Sequence, residues 1–275
     1  MRSARLNRLF APDGKCFDLA LDHGFFNDVS FLSGIEDMTK AVGAGIRAGV
    51  DAIQVAPGQA RFLQRVAGRE KPSLVLRVDT ANIYGAGRPS YLFSQLIAGP
   101  VELALRLDAA GVILNLFFLP ENGELHRQCL ANLATLCAAC RRYEMPVMVE
   151  PLVLRAAADG GYQSVGDVDR LVALVRQVVE MGADIVKCDP TEDGADFHRV
   201  VEAACGRPVL ARGGGRVSEV EILQRTRELM DEGASGVVYG RNITQHPRPE
   251  VIGRALVAIV HRDASLTQAE ALLRG

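Results

Sequence analysis

Lys187 sits near the end of the apolar run Asp184-Ile185-Val186-Lys187-Cys188-Asp189-Pro190, in a chain with only four lysines. Lys15, Lys40 and Lys71 lie in polar or turn-like surroundings, where a solvated charge is the simplest reading. The chain draws nearly all its cations from arginine, so a lysine at the end of an apolar strand stands apart. A dry site disfavours the ammonium, lowers its pKa and supplies free amine near neutrality. Such an amine attacks carbonyls and forms Schiff bases. Residue type and setting therefore point to a carbonyl-trapping lysine; the plainer reading is a lysine that snorkels or pairs with Asp189.

Other chemistry-bearing residues also close apolar runs. Glu150 ends Val147-Met148-Val149-Glu150-Pro151, where an apolar setting predicts a raised carboxyl pKa suited to moving protons. A structural salt bridge to Lys187 or Arg212 is the alternative. Asp22, in Leu19-Ala20-Leu21-Asp22-His23-Gly24, is placed to hold a substrate hydroxyl or take its proton. His23 reads as a substrate contact or as a hydrogen-bonded packing residue. Arg77, Asp79 and Asn115 are candidates for hydroxyl or phosphate contacts, or for a polar layer inside the fold. Glycine turns end two more runs, Arg212-Gly213-Gly214-Gly215-Arg216 and Gly240-Arg241-Asn242. Successive glycines let backbone N–H groups close on phosphate oxygens, Arg241 can add a bidentate contact, and Arg212 is a further candidate for the phosphate.

The elements that must position these residues alternate in type along the whole chain. Strand-like runs cover 16–24, 51–57, 73–79, 111–117, 146–153, 184–190, 208–215 and 236–242. Amphipathic helical patterns cover 35–48, 123–143, 165–181, 217–232 and 249–261. Small turns such as Gly49-Val50-Asp51 and Gly182-Ala183-Asp184 hand helices on to strands. This alternation predicts a (β/α)8 barrel over 1–275 as one domain, with a helical tail at about 263–275. A doubly wound open sheet would carry a glycine-rich dinucleotide turn after its first strand, where this chain has Asp22-His23-Gly24. In a barrel the strand ends named above share one rim, and the loops after strands seven and eight commonly hold phosphate.

Composition narrows the function classes. The net charge of −2 offers no footprint for nucleic acid. No run approaches a membrane span, and the basic start Met1-Arg2-Ser3-Ala4-Arg5 lacks a signal peptide's apolar stretch, so the cytoplasm is expected. Cys137 and Cys140 form a C-x-x-C within a predicted helix, without the second pair a zinc site needs. They read as small core hydrophobes, with redox work as the alternative. The five histidines do not fall on successive strand ends, so no metal is expected, and no cofactor.

These residues resemble the class I, Schiff-base aldolases of the archaeal-type fructose-bisphosphate aldolase group, in the DeoC/LacD superfamily. The likeness spans nearly the whole chain. It is carried by Ala20-Leu21-Asp22-His23-Gly24, Gly182 to Lys187, Gly213-Gly214, and Ala234-Ser235-Gly236 through Gly240-Arg241-Asn242-Ile243 with Gln245-His246-Pro247. The resemblance implies Lys187 as the Schiff-base residue, Asp22 as the strand-one aspartate, and Gly213, Gly214, Gly240 and Arg241 as phosphate loops. One position departs from the pattern. The archaeal-type enzymes place a proton-donating tyrosine before the strand-five proline, where this chain has Glu150; tagatose-bisphosphate aldolases look similar here, with a glutamate.

The expectation is an aldolase that splits a phosphorylated ketose into dihydroxyacetone phosphate, or a similar keto fragment, and an aldehyde. Glu150 would relay protons during imine formation and hydrolysis, and protonate the enamine. Two alternatives stand beside it: a transferase or thiolase passing the bound fragment to an acceptor such as coenzyme A, and a non-catalytic sugar-phosphate sensor. The resemblance also implies a homo-oligomer. The amphipathic segment from Asp263 to Leu273 would pack on its own barrel or on a partner subunit.

Overall fold

The computed structural model describes residues 4–26, 28–68, 70–84, 89–158 and 160–274. Met1 to Ser3 of the basic N-terminus and Gly275 of the tail lie outside the described residues. Eight strands run parallel and close on themselves: β1 (Cys16–Ala20), β2 (Ala52–Val55), β3 (Ser73–Arg77), β4 (Gly111–Phe118), β5 (Val147–Ala156), β6 (Ile185–Cys188), β7 (Val209–Arg212) and β8 (Gly236–Tyr239). Closure comes from β1 pairing β8 on one side and β2 on the other, while β4 pairs β5 from Val112–Val147 to Phe118–Val153. The expected strand starts agree within a residue. Most ends fall short of the expectation, because the last residues of each apolar run have already turned into the rim loops. Beyond the rim the chain adds an antiparallel pair, Asp79–Ala81 with Ser94–Leu96, and a short strand Tyr162–Ser164 returning along β5.

Helices α1 (Met38–Ala48), α2 (Ala60–Gln64), α3 (Pro100–Arg106), α4 (Gly123–Arg141), α5 (Val168–Met181), α6 (Phe197–Ala203), α7 (Glu219–Asp231), α8 (Arg241–Thr244), α9 (Pro249–Arg262) and α10 (Leu266–Arg274) clothe the barrel. Their limits follow local chemistry. Asp37, Asp167 and Ser218 accept backbone N–H bonds at the starts of α1, α5 and α7. Gly49 and Gly182 close α1 and α5 with φ of 83° and 113°, a left-handed conformation in which a side chain is strained. Helices α2, α3 and α6 are too short for a clear period, which is why the helical pattern did not reveal them. Helix α10 packs on α9 and α7 of its own chain, burying Ala269 and Leu273.

Strand alternation decides where polar residues go. Outward side chains such as Phe17, Leu19, Ile53, Leu74, Leu76 and Val186 join the apolar layer shared with the helices. Inward side chains are apolar at the strand starts (Cys16, Ala52, Val75, Ile113, Met148, Ile185). The N-terminal residues Leu6, Leu9 and Phe10 plug this end. Toward the strand ends the inward positions become Asp18, Gln54, Arg77, Asn115, Glu150 and Lys187, all buried. The barrel is therefore dry and apolar at one end and densely charged at the other. Cys137 and Cys140 are buried residues of α4, and burial pushes their thiols up to about 11 and about 12, as befits packing rather than redox work.

Candidate active site

The charged end of the barrel holds a small cavity of about 40 Å³. Asp22, His23, Arg77, Glu150, Lys187 and Arg212 line it, with Gly213, Gly214, Gly240 and Arg241 at its rim and Phe26, Phe31 and Tyr84 over it. Lys187 Nζ lies 3.0 Å from Glu150 Oε2 and 3.5 Å from Gln54 Oε1. The lysine is paired, and with Glu150 rather than Asp189. Asp189 instead accepts from Arg212 Nη1 at 2.6 Å.

Glu150 is the hub. Arg77 Nη2 donates to Oε2 at 2.7 Å, and Arg212 Nε lies 2.9 Å from Oε1. Burial pushes a carboxyl up, yet Lys187, Arg77 and Arg212 together hold Glu150 well below the usual carboxylate range. The raised pKa expected from its apolar strand is therefore corrected, because cations brought from three other strands outweigh desolvation. Asp22 behaves alike. Its Oδ2 accepts from Arg77 Nε and from Gln54 Nε2, each at 2.6 Å, and despite burial the Arg77 and Lys187 charges keep it low.

His23 is pushed down to about 4, chiefly by burial, and stays uncharged. Its ring fixes the identity of residue 240, since a Cβ there would come within 2.3 Å of His23 Cε1. A Cβ at 213 would meet the Tyr239 ring at 2.8 Å, whereas Gly214 faces open space. Arg241 Nη2 donates to Gly214 O at 3.2 Å, and its guanidinium lies over Phe31, 4.9 Å from the ring centre. Its Nε is buried with no partner. That unmet donor beside two glycine turns is what an anionic group would complete.

Two assignments change. Asn115, expected among the substrate contacts, donates through N and Nδ2 to Asp79 Oδ2 at 2.9 Å and does not line the cavity. It braces Asp79, which braces Arg77 from Nη1 at 3.2 Å. Arg212, expected at the phosphate, is committed to Glu150 and Asp189. Reading strand ends alone missed Gln54 and Tyr84. Gln54 carried a signal, being the lone polar residue of Ala52-Ile53-Gln54-Val55; Tyr84 follows β3 in a loop and carried none.

Below the cavity lies Asp18, fully buried, with neither oxygen hydrogen-bonded. Burial pushes its carboxyl up to about 7 against the pull of Lys187. On the open side a groove of about 570 Å³ adjoins the cavity and shares Phe31, Tyr84, Arg212 and Arg241 with it. Among the described residues no helix is long and apolar enough to cross a membrane.

The chain is similar to known proteins along nearly its whole length. Over 98% of both chains it is 29% identical to an uncharacterized aldolase of Saccharolobus solfataricus. It is 31% identical to a 3-hydroxy-5-phosphonooxypentane-2,4-dione thiolase of Klebsiella pneumoniae, covering 97% of this chain and 83% of that one. A solved Schiff base-forming fructose-1,6-bisphosphate aldolase superposes with a TM-score of 0.75 at 26% identity, over 94% of this chain and 98% of the other. The family model for DeoC/LacD family aldolases matches residues 16–246, and the chain belongs to that family.

Proposed function

We propose that this protein is a class I aldolase that reversibly cleaves a phosphorylated ketose through a Schiff base on Lys187. The observation that carries the reading is the Lys187–Glu150 contact of 3.0 Å inside a cavity rimmed by Gly213, Gly214, Gly240 and Arg241. Lys187 passes a proton to Glu150 Oε2 and attacks the ketose carbonyl. The same proton then leaves with the carbinolamine hydroxyl as water, so Glu150 returns to carboxylate and balances the iminium. That cation draws the electrons of the breaking carbon–carbon bond into an enamine. Asp22, held anionic, takes the proton from the substrate hydroxyl as the aldehyde departs. The glycine turns and Arg241 hold the phosphate, which fixes the carbonyl over Nζ. The adjoining groove of about 570 Å³, which shares Phe31, Tyr84, Arg212 and Arg241 with the cavity, offers room for the rest of the substrate.

The test is borohydride reduction with a panel of ketose phosphates, followed by peptide mass mapping. A reduced adduct on Lys187, absent from Lys187→Met, is expected. An unmodified Lys187 with every ketose, or full activity in Lys187→Met, contradicts the reading.

A second reading has one observation in its favour, the 31% identity to a protein named a thiolase. There the fragment held by Lys187 passes to a thiol. Product analysis with and without an acceptor thiol separates the two.

A further inference from the structure

After carbon–carbon cleavage the enamine carbon must take up a proton, and Glu150 is poorly placed to give it. Its Oε2 faces Arg77 and Lys187 and its Oε1 faces Arg212. The proton it took from Lys187 has already left as water when the iminium forms, and Arg77 and Arg212 still hold it as a carboxylate, so it has none to give the enamine. Asp22 is tied to Arg77 and Gln54 in the same way. His23 lines the cavity as a neutral imidazole, its ring packed on Phe31 and against Gly240. Asp18 keeps a proton but lies inside the barrel and does not line the cavity.

Tyr84 is the remaining O–H group among the described residues that line the cavity. Its ring is set by Phe26, Phe31 and Phe117, with centroids 4.7, 5.6 and 6.0 Å away. Within the described residues its hydroxyl makes no hydrogen bond, so it is open to a substrate. The charged groups that act on it are Glu150, Arg212, Arg77 and Asp79, with Arg241 beside them. Burial and the Glu150 carboxylate keep the phenol protonated, while Arg212 and Arg77 stabilise a transient phenolate.

We propose that the Tyr84 hydroxyl is the acid that protonates the enamine carbon. The inference rests on the Schiff-base reading above. In the step, the Oη–H bond breaks and a C–H bond forms from the enamine π pair. The nitrogen lone pair restores the iminium, and the phenolate sits beside the Arg212 guanidinium. Tyr84 regains, through water, the proton that Asp22 took from the substrate hydroxyl, so the cycle closes with no net proton. A tyrosine from the loop after β3 thus does work that a glutamate clamped on β5 cannot.

The test uses dihydroxyacetone phosphate as probe and follows deuterium uptake at its reacting carbon in D2O. Tyr84→Phe is expected to keep a borohydride-reducible adduct on Lys187 while exchange falls at least about 100-fold, within the range for loss of a general acid. Exchange within about threefold of the parent overturns the proposal. If Tyr84→Phe does not fold, fluorotyrosine placed at 84 keeps the ring and makes the phenol more acidic. The alkaline limb of the exchange profile must then move to lower pH; an unmoved limb overturns the proposal. A parent protein with no reducible adduct overturns the Schiff-base reading and this one with it, whereas an adduct with normal exchange in Tyr84→Phe overturns this one alone.

Discussion

Lys187 and Glu150 meet across adjacent strands, Nζ to Oε2 at 3.0 Å, and the same carboxylate lies 2.7 Å from Arg77 and 2.9 Å from Arg212. Three cations converge on one buried anion. The lysine is thereby aimed by a charge that is itself immobilised from β3 and β7. Removing that charge must disturb more than the one contact.

Glu150→Gln tests this. The substitution keeps the shape but leaves Arg77, Arg212 and Lys187 facing one another in a dry interior. Losing one partner of a buried pair typically costs about 3–5 kcal/mol, and losing a proton-handling group costs about 100-fold or more in rate. Denaturant titration and single-turnover imine formation are expected to show both losses. An unchanged midpoint with normal imine formation contradicts the three-cation arrangement.

The buried acids respond to pH in opposite senses. Glu150 and Asp22 are depressed, so their contribution to stability is complete above the unfolded carboxylate range of about 4. It is lost as pH falls through their folded values. Asp18 is raised to about 7, so the folded state binds an extra proton between about pH 4 and 7 and loses stability as pH rises through that window. Asp18→Asn removes the ionisation and is expected to stabilise the protein by a few kcal/mol, order of magnitude, at pH 8. The gain shrinks on going to pH 5. Urea melts at the two pH values check this; an equal shift at both contradicts it.

Arg241 separates binding from chemistry. Its Nε is buried without a partner and its guanidinium stacks on Phe31, away from Glu150's clamp. A hydrogen bond to a charged group is worth about 1.5–3 kcal/mol. Arg241→Met is therefore expected to raise KM for a ketose phosphate about 10- to 100-fold. Its kcat should stay within about threefold and its melting temperature should barely move. A kcat loss with unchanged KM places the phosphate elsewhere.

Much of the molecule was legible in one dimension. Strand spacing and glycine turns announce a barrel because each βα unit is specified locally, by a run of apolar residues, a cap and a turn. Lys187, Glu150 and Asp22 stood out because a charged residue at the end of an apolar strand is rare without a task. The glycines after β7 and β8 stood out because only a residue without a Cβ lets chain segments approach as closely as Gly240 approaches His23.

The protonation states were decided in three dimensions. Sequence neighbours place Glu150 in an apolar strand and predict a proton-bearing acid. Barrel closure brings Arg77, Lys187 and Arg212 to it from other strands, and through-space charge reverses the prediction. Asn115 turned from substrate contact to brace because Asp79 lies at its backbone N–H. Tyr84 entered the site because packing on Phe26, Phe31 and Phe117 holds its ring at the cavity. Residue order determined that a lysine would reach this rim. Which neighbours hold protons when it does depends on distances that no linear spacing encodes.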